Sequence, residues 1–206
     1  EVVRHGIDFA ATRDRGAPRR RGERFLSLAP GEFLFLYVGD HAWEKNLEFL
    51  MQSLSLLKRR GFRFRTAFVG GGYAAGSLRL MASRLGLVGA TRFVGVLRER
   101  GALAACYARA DCFLSLLYDT CGLVVREAAA FSVPSVVLES SAASEEILDG
   151  VNGFAAGNSV EGYAGKLSML IERPELLRRA GAGARSTLCR SWREAVVEVR
   201  ERYLAL

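Results

Sequence analysis

Two rhythms of apolar residues alternate along this chain. Short runs that are apolar throughout suit strands buried on both faces. Between them, apolar residues recur every three or four positions, as on one face of a helix. Phe33 to Val38 is the first run, and Leu47, Leu50, Met51, Leu54 and Leu57 follow at helical spacing, with Gly61 as the stop. Thr66 to Val69 predicts a second strand, Gly70-Gly71-Gly72 a tight turn, and Leu78 to Leu85 a helix. Arg92-Phe93-Val94 predicts a third strand, and Leu103 and Tyr107 mark the inner face of the next helix. Further strands are expected near 112 to 116, at 135 to 138 and at Phe154 to Ala156. This alternation gives an α/β fold class: a Rossmann-like, doubly wound parallel sheet of about six strands with extra C-terminal helices.

The last third reads as helical. Asn158 with Glu161 is placed to cap a helix whose apolar face is Val160, Tyr163, Ala164, Leu167 and Leu170. Pro174 suits the first turn of another. Ser191 with Glu194 forms a capping box ahead of Trp192, Ala195, Val196, Val199 and Tyr203. The expected organisation is therefore a hinge segment with an arginine-rich loop over 1–32, a sheet domain over 33–190, and a C-terminal helix over 191–206. That helix packs back on the body or toward another domain.

Composition narrows the classes of function. The chain has 206 residues, half of them hydrophobic, enough for a two-sided core around one sheet. No run approaches the roughly 18 apolar residues that cross a bilayer. Cys106, Cys112, Cys121 and Cys189 lack Cys-x-x-Cys spacing, and His5 and His41 are the only histidines. No metal site is expected, and the cysteines read as small buried hydrophobes in a reducing cytoplasm. The net charge of +7 is concentrated in arginines: Arg13, Arg15, Arg19, Arg20, Arg21 and Arg24 in one segment, and Lys58, Arg59, Arg60, Arg63 and Arg65 in another. With no recognition module or aromatic stacking face beside them, nucleic acid is not the expected partner.

The chemistry-bearing stretch is Asp119-Thr120-Cys121-Gly122-Leu123-Val124-Val125-Arg126-Glu127, which leaves a strand, turns at a glycine and enters an alanine-rich helix. Such a joint presents backbone N–H donors to a phosphate, and a carboxylate one turn into the helix reaches sugar hydroxyls. An ordinary joint with two solvated acids has the same pattern, and these residues alone leave both readings open.

Other landmarks stand in order around this stretch. It resembles the paired-acid motif of retaining glycosyltransferases of family 4, with Cys121-Gly122 in place of a Phe-Gly pair, Glu127 as the second glutamate, and the first glutamate shortened to Asp119. Arg4-His5-Gly6-Ile7-Asp8 is similar to the segment that opens that family's second domain. Tyr37-Val38-Gly39 with Lys45-Asn46 is similar to its diphosphate-contacting strand, loop and lysine. Asp149-Gly150-Val151-Asn152-Gly153-Phe154 is similar to its Asp-Gly-x-Asn-Gly-Phe turn. The resemblance implies one half of a GT-B enzyme, the nucleotide-sugar half, with the acceptor-binding N-terminal domain as its missing partner.

The resemblance also assigns roles. Lys45 pairs with the diphosphate, Glu127 accepts from ribose hydroxyls, and Asp119 accepts from the donor sugar. Backbone groups of Gly39, Cys121, Gly122, Leu123 and Val124 approach phosphate and sugar, and Gly95-Val96-Leu97 receives the base. The donor is a UDP- or GDP-type sugar and no cofactor is needed. A polysaccharide or lipid-linked acceptor is implied, on the cytoplasmic side, with peripheral contact of the basic segments with an anionic membrane. Asp40 stands where the family commonly has an arginine, so either another cation substitutes, Arg126 or a side chain of the missing domain, or diphosphate binding is weaker. Two other readings share the fold: a non-catalytic nucleotide-binding or scaffolding module, favoured by Asp40 and Asp119, and a nucleotide-sugar epimerase.

Overall fold

The computed structural model describes residues 16–116 and 122–204. After helix α1 (Gly16–Leu26), strands and helices alternate: β1 (Leu34–Val38), α2 (Leu47–Arg59), β2 (Arg65–Val69), α3 (Ala75–Arg84), β3 (Thr91–Gly95), α4 (Arg100–Arg109), β4 (Cys112–Leu114), α5 (Leu123–Ala130) and β5 (Ser135–Leu138). Then come β6 (Phe154–Ala156) and three helices, α6 (Val160–Glu172), α7 (Pro174–Thr187) and α8 (Trp192–Leu204). The six strands form one parallel sheet in the order β3-β2-β1-β4-β5-β6. The expected fold class and every expected strand are present.

Strand side chains alternate between two cores, as a pleat requires. Phe35, Tyr37, Phe68, Cys112, Leu114, Val136 and Leu138 join Leu50, Met51 and Leu54 of α2, Leu78 of α3 and Leu167 of α6 on one face. Leu34, Leu36, Ala67, Phe113 and Val137 meet Tyr107 of α4, Ala128 and Ala129 of α5 and Leu26 of α1 on the other. The chain therefore changes face between β3 and β4, which lie on opposite sides of the β2-β1 pair. At this switch the connections that follow β1 and β4, neighbours in the sheet, leave toward opposite faces and open a crevice beyond their carboxyl ends.

Three expectations are corrected. Gly16 to Leu26 is a helix rather than an arginine-rich loop. Its charges are drawn into ion pairs with the body: Arg21 with Glu99 (2.7 Å), Glu23 with Arg109 (3.4 Å) and Arg19 with Asp111 (3.5 Å). Arg92 donates to the carbonyls of Phe25 and Leu26, closing the helix end. Arg13 and Arg15 lie outside the described residues. Second, β4 is shorter than expected, ending at Leu114, although the Ser115 N–H still reaches the Val136 carbonyl at 2.9 Å. Third, Ser159 rather than Asn158 caps α6, its hydroxyl accepting from the Gly162 N–H. Pro174 opens α7, and Ser191 and Glu194 form the expected capping box, each accepting from the other's backbone N–H.

Candidate functional site

The crevice rim is built from three loops stitched together through their backbones. The Gly39 N–H donates to Val69 O (3.0 Å), the His41 N–H to Gly71 O (2.8 Å), the Ala74 N–H to His41 O (2.9 Å) and the Gly70 N–H to Gly95 O (2.9 Å). This explains the triple glycine. A methyl group on Gly70 would stand 2.0 Å from Gly39 O, at a backbone φ of +132° that side chains resist. The glycines thus serve a close approach within the chain itself, which binds the loop after β1 to the loop after β2.

Lys45 does not begin α2. It ends a 3₁₀ turn, Trp43–Lys45, and is separated from the helix by Asn46, whose φ of 55° is tolerated by a short polar side chain. Tyr73 anchors this turn, its hydroxyl donating to Glu44 (2.6 Å) and accepting from the Trp43 N–H (3.1 Å). Among the described residues the Lys45 ammonium, half-buried, has neither a hydrogen bond nor an ion pair. Asp40 is exposed on the same loop, with its carbonyl held by the Tyr37 hydroxyl at 3.0 Å.

Across the crevice, Gly122 adopts a left-handed conformation (φ 49°) and starts α5. The Leu123 and Val124 N–H groups, in the first turn, have no intrahelical acceptor. No other acceptor reaches them among the described residues. Glu127 is half-buried in the second turn, and its Oε2 accepts from the Tyr107 hydroxyl at 2.7 Å. Burial pushes the Glu127 carboxyl above its usual range, and the Tyr107 hydrogen bond holds it down. Asp119 and Cys121 lie outside the described residues.

The expected base-binding loop follows β3. Gly95 has a φ of +83°, Val96 is 68 % exposed, and Leu97 packs into the core shared with α4 and α5. No hydrogen bond engages the backbone of Val96 or Leu97 among the described residues. The structure therefore places Lys45, Gly122, Leu123, Val124 and Glu127 around the switch point and Gly95 to Leu97 farther along the same rim. Gly39 offers a turn but no free donor, since Val69 engages its N–H.

Arg126 is not the second cation of the crevice. It is 3 % exposed and donates to the Leu188 carbonyl (2.8 Å) and to Glu146, so it fastens α5 to α7 and to the 3₁₀ turn Ala142–Glu146. The Asp149–Phe154 turn likewise spends its polar side chains on bonds within the chain. Asn152 is buried, accepting from the Leu148 N–H (2.7 Å) and donating to Glu146 O and Thr187, while Asp149 accepts from the Ala155 N–H and Lys166.

Two residues at the site were not singled out by sequence. Tyr107 was legible as a core position, and a buried tyrosine requires a hydroxyl partner, but only the packing of α4 against α5 shows that partner to be Glu127. His41 is 1 % exposed among Tyr37, Phe68 and Phe93, and neither ring nitrogen has a hydrogen-bond partner among the described residues. A cavity of about 420 Å³ lined by Arg19, Glu32, Arg109, Asp111 and Arg178 lies at the opposite rim, where the strands begin. Its acids are already engaged, Asp111 by Arg109 and the Leu34 N–H and Glu32 by Arg65, so it reads as a structural tie.

With this geometry in place, comparison with known proteins is decisive at the family level. Residues 19–187 match the family model described as glycosyl transferases group 1. The chain belongs to that family. Among relatives, it is 28 % identical over 212 residues to a glycogen synthase of Mycobacterium tuberculosis, covering 99 % of this chain and 48 % of the relative. It is 29 % identical over 185 residues to a GDP-mannose-dependent alpha-(1-6)-phosphatidylinositol dimannoside mannosyltransferase of the same species, covering 88 % of this chain and 47 % of the relative. The crystal structure of Anabaena HepE in complex with UDP superposes with a TM-score of 0.86 at 18 % identity, over 100 % of this chain and 57 % of that one. The group 1 chain thus spans about half the length of the relatives it matches, and its sheet is the Rossmann-like layer of the GT-B fold.

Proposed function

We propose that this chain is the donor-binding half of a retaining glycosyltransferase, which holds a UDP- or GDP-type sugar while the sugar passes to a hydroxyl acceptor. The observation that supports the reading is that β1 and β4 are parallel neighbours, so that the turn carrying Lys45 and the start of α5, with its open amides and half-buried Glu127, both follow the carboxyl ends of adjacent strands. Breaking a sugar–phosphate bond leaves negative charge on the diphosphate. Lys45 and the positive end of α5 are complementary to that charge without a metal ion. Glu127 keeps Oε1 open toward a vicinal ribose diol, and the open backbone at Val96 and Leu97 suits a planar base. Asp119 is assigned the donor-sugar hydroxyls on the family motif alone. The relatives' names, a glycogen synthase and a phosphatidylinositol-mannoside mannosyltransferase, support a polysaccharide or glycolipid acceptor. The acceptor site and the remaining catalytic contacts belong to a second, N-terminal half. On this reading the 206-residue chain alone transfers little or no sugar.

Isothermal calorimetry with UDP, GDP and ADP tests the reading. One of them is expected to bind, and Glu127→Ala to abolish that binding. Failure of all three at millimolar concentration removes the proposal. Asp40 favours a second reading, a binding module whose site has decayed, because an exposed carboxylate at the rim repels a diphosphate. Under that reading Asp40→Arg raises nucleotide affinity steeply, by about tenfold or more, whereas in a working site adapted to Asp40 the gain is small.

A further inference from the structure

We infer that Tyr107 is the positioning residue of this site: its hydroxyl fixes one oxygen of the Glu127 carboxylate so that the other is presented to the ribose diol. The inference rests on the donor-binding reading above and adds to it a residue that touches no ligand.

Tyr107 is fully buried on α4, its ring stacked on Phe131 (centroids 5.9 Å apart, planes 6° from parallel) and tilted against Phe113 (5.9 Å). Packed on both sides, the ring has no alternative rotamer, so its hydroxyl is a fixed donor rather than a mobile one. It donates to Glu127 Oε2 at 2.7 Å, and among the described residues the Glu127 side chain makes no other hydrogen bond or ion pair. A glutamate carries three rotatable bonds. Among the described residues the tyrosine is the one hydrogen-bond partner that holds this one.

The bond also partly offsets the burial of Glu127. Burial disfavours the charged carboxylate, and a phenol O–H donated to it favours the charged form. One oxygen is thereby satisfied inside the protein. Oε1 and a remaining lone pair of Oε2 are left to accept two hydroxyls. The Tyr107 hydroxyl converges on the one carboxylate that the crevice requires.

The test uses this chain and two substitutions, Tyr107→Phe and Glu127→Gln, singly and together, with binding of UDP and GDP and of their 2′,3′-dideoxy forms measured by calorimetry. Tyr107→Phe removes a single oxygen, and circular dichroism and thermal melting verify folding. Tyr107→Phe is expected to weaken binding of the ribonucleotide about tenfold and to leave the dideoxy form unchanged. In the Glu127→Gln background it is expected to make no further difference, because the two act as one unit. Equal loss for ribo and dideoxy forms, or an undiminished loss in the Glu127→Gln background, assigns Tyr107 a packing role and overturns the inference, as does no loss at all. Should the parent chain bind ribo and dideoxy forms equally, the diol contact of Glu127 itself fails, and the inference with it. If Tyr107→Phe does not fold, the hydroxyl is needed for folding itself and the inference is overturned.

Discussion

Lys45 and His41 sit four positions apart on one loop and meet opposite electrostatic conditions. Among the described residues the Lys45 ammonium makes no hydrogen bond or ion pair, and on the proposed reading a bound diphosphate would supply a charge-assisted contact worth about 1.5–3 kcal/mol. Lys45→Ala is therefore expected to lower affinity for the bound nucleoside diphosphate about tenfold to a hundredfold by calorimetry, with little change in melting temperature. His41 is the reverse case, a polar ring enclosed without a partner. Burial, and then the Arg79 guanidinium of α3, hold its imidazole below the usual value, against the opposing pull of Asp40. Tyr37 of β1, Phe68 of β2 and Phe93 of β3 complete its surroundings and bring no anion to it. With a folded value below the unfolded one, the unfolded chain binds more protons as the pH falls below about 6.5. The stability that depends on neutral His41 is present above that pH and lost as pH drops through the folded value. His41→Leu is expected to raise the midpoint of thermal unfolding by a few degrees, about 1 kcal/mol. It should also flatten the acid side of the stability profile, which melting curves between pH 5 and 8 would show.

At the scale of elements, α5 has two faces with separate duties. Its crevice side carries Leu123, Val124 and Glu127; its inner side carries Arg126, tied to Leu188 O and Glu146. Removing Arg126 takes one donor from the Glu146 carboxylate and one from the Leu188 carbonyl at the end of α7. Arg126→Met is expected to cost about 2–3 kcal/mol, below the ~3–5 of a fully enclosed pair because Glu146 keeps some solvent contact. The variant should retain nucleotide affinity, as measured by denaturant titration beside calorimetry. A large loss of affinity at unchanged stability would return Arg126 to the crevice. The cysteines on neighbouring elements fit the same division between core and rim. Burial pushes the Cys106 thiol up to about 12, so it is unreactive at neutral pH, and Cys112 is enclosed on β4.

For the molecule as a whole, the informative surface is α8. Ala195 is buried against the body, yet Val196 is 62 % and Tyr203 74 % exposed, and Trp192, Val197 and Leu204 are exposed with them. The apolar stripe that the sequence shows at helical spacing is therefore largely uncovered in this chain. Val196→Lys with Tyr203→Lys is expected to shift unfolding free energy by no more than about 0.5 kcal/mol. The same pair should reduce concentration-dependent self-association in sedimentation, since the substitutions break an exposed apolar patch. The charge of +7 is partly internal: Arg19, Arg21, Arg92 and Arg109 all bind within the body. Among the described residues no helix is long and apolar enough to cross a membrane.

The sequence alone determined the order and kind of the elements, because strand burial on two faces and helix burial on one leave distinct apolar periods. Phe33 to Val38 and the Leu47–Leu57 spacing placed β1 and α2 almost to the residue. It also located Lys45, Gly122 and Glu127 at the joints where a parallel sheet gathers ligand-facing groups. What it could not assign was the partner of each polar group. A helix period reports that Arg126, Tyr107 and His41 lie toward an interior or a loop, but not which atom meets them there. The same blindness made a loop of Gly16 to Leu26, whose arginines look solvated until Glu99 and Asp111, some 80 to 90 positions away, are brought alongside. Those pairings depend on packing between segments distant in sequence. Only the tertiary structure could therefore separate the Arg126 that ties α5 to its neighbours from the Lys45 that makes no hydrogen bond or ion pair among the described residues.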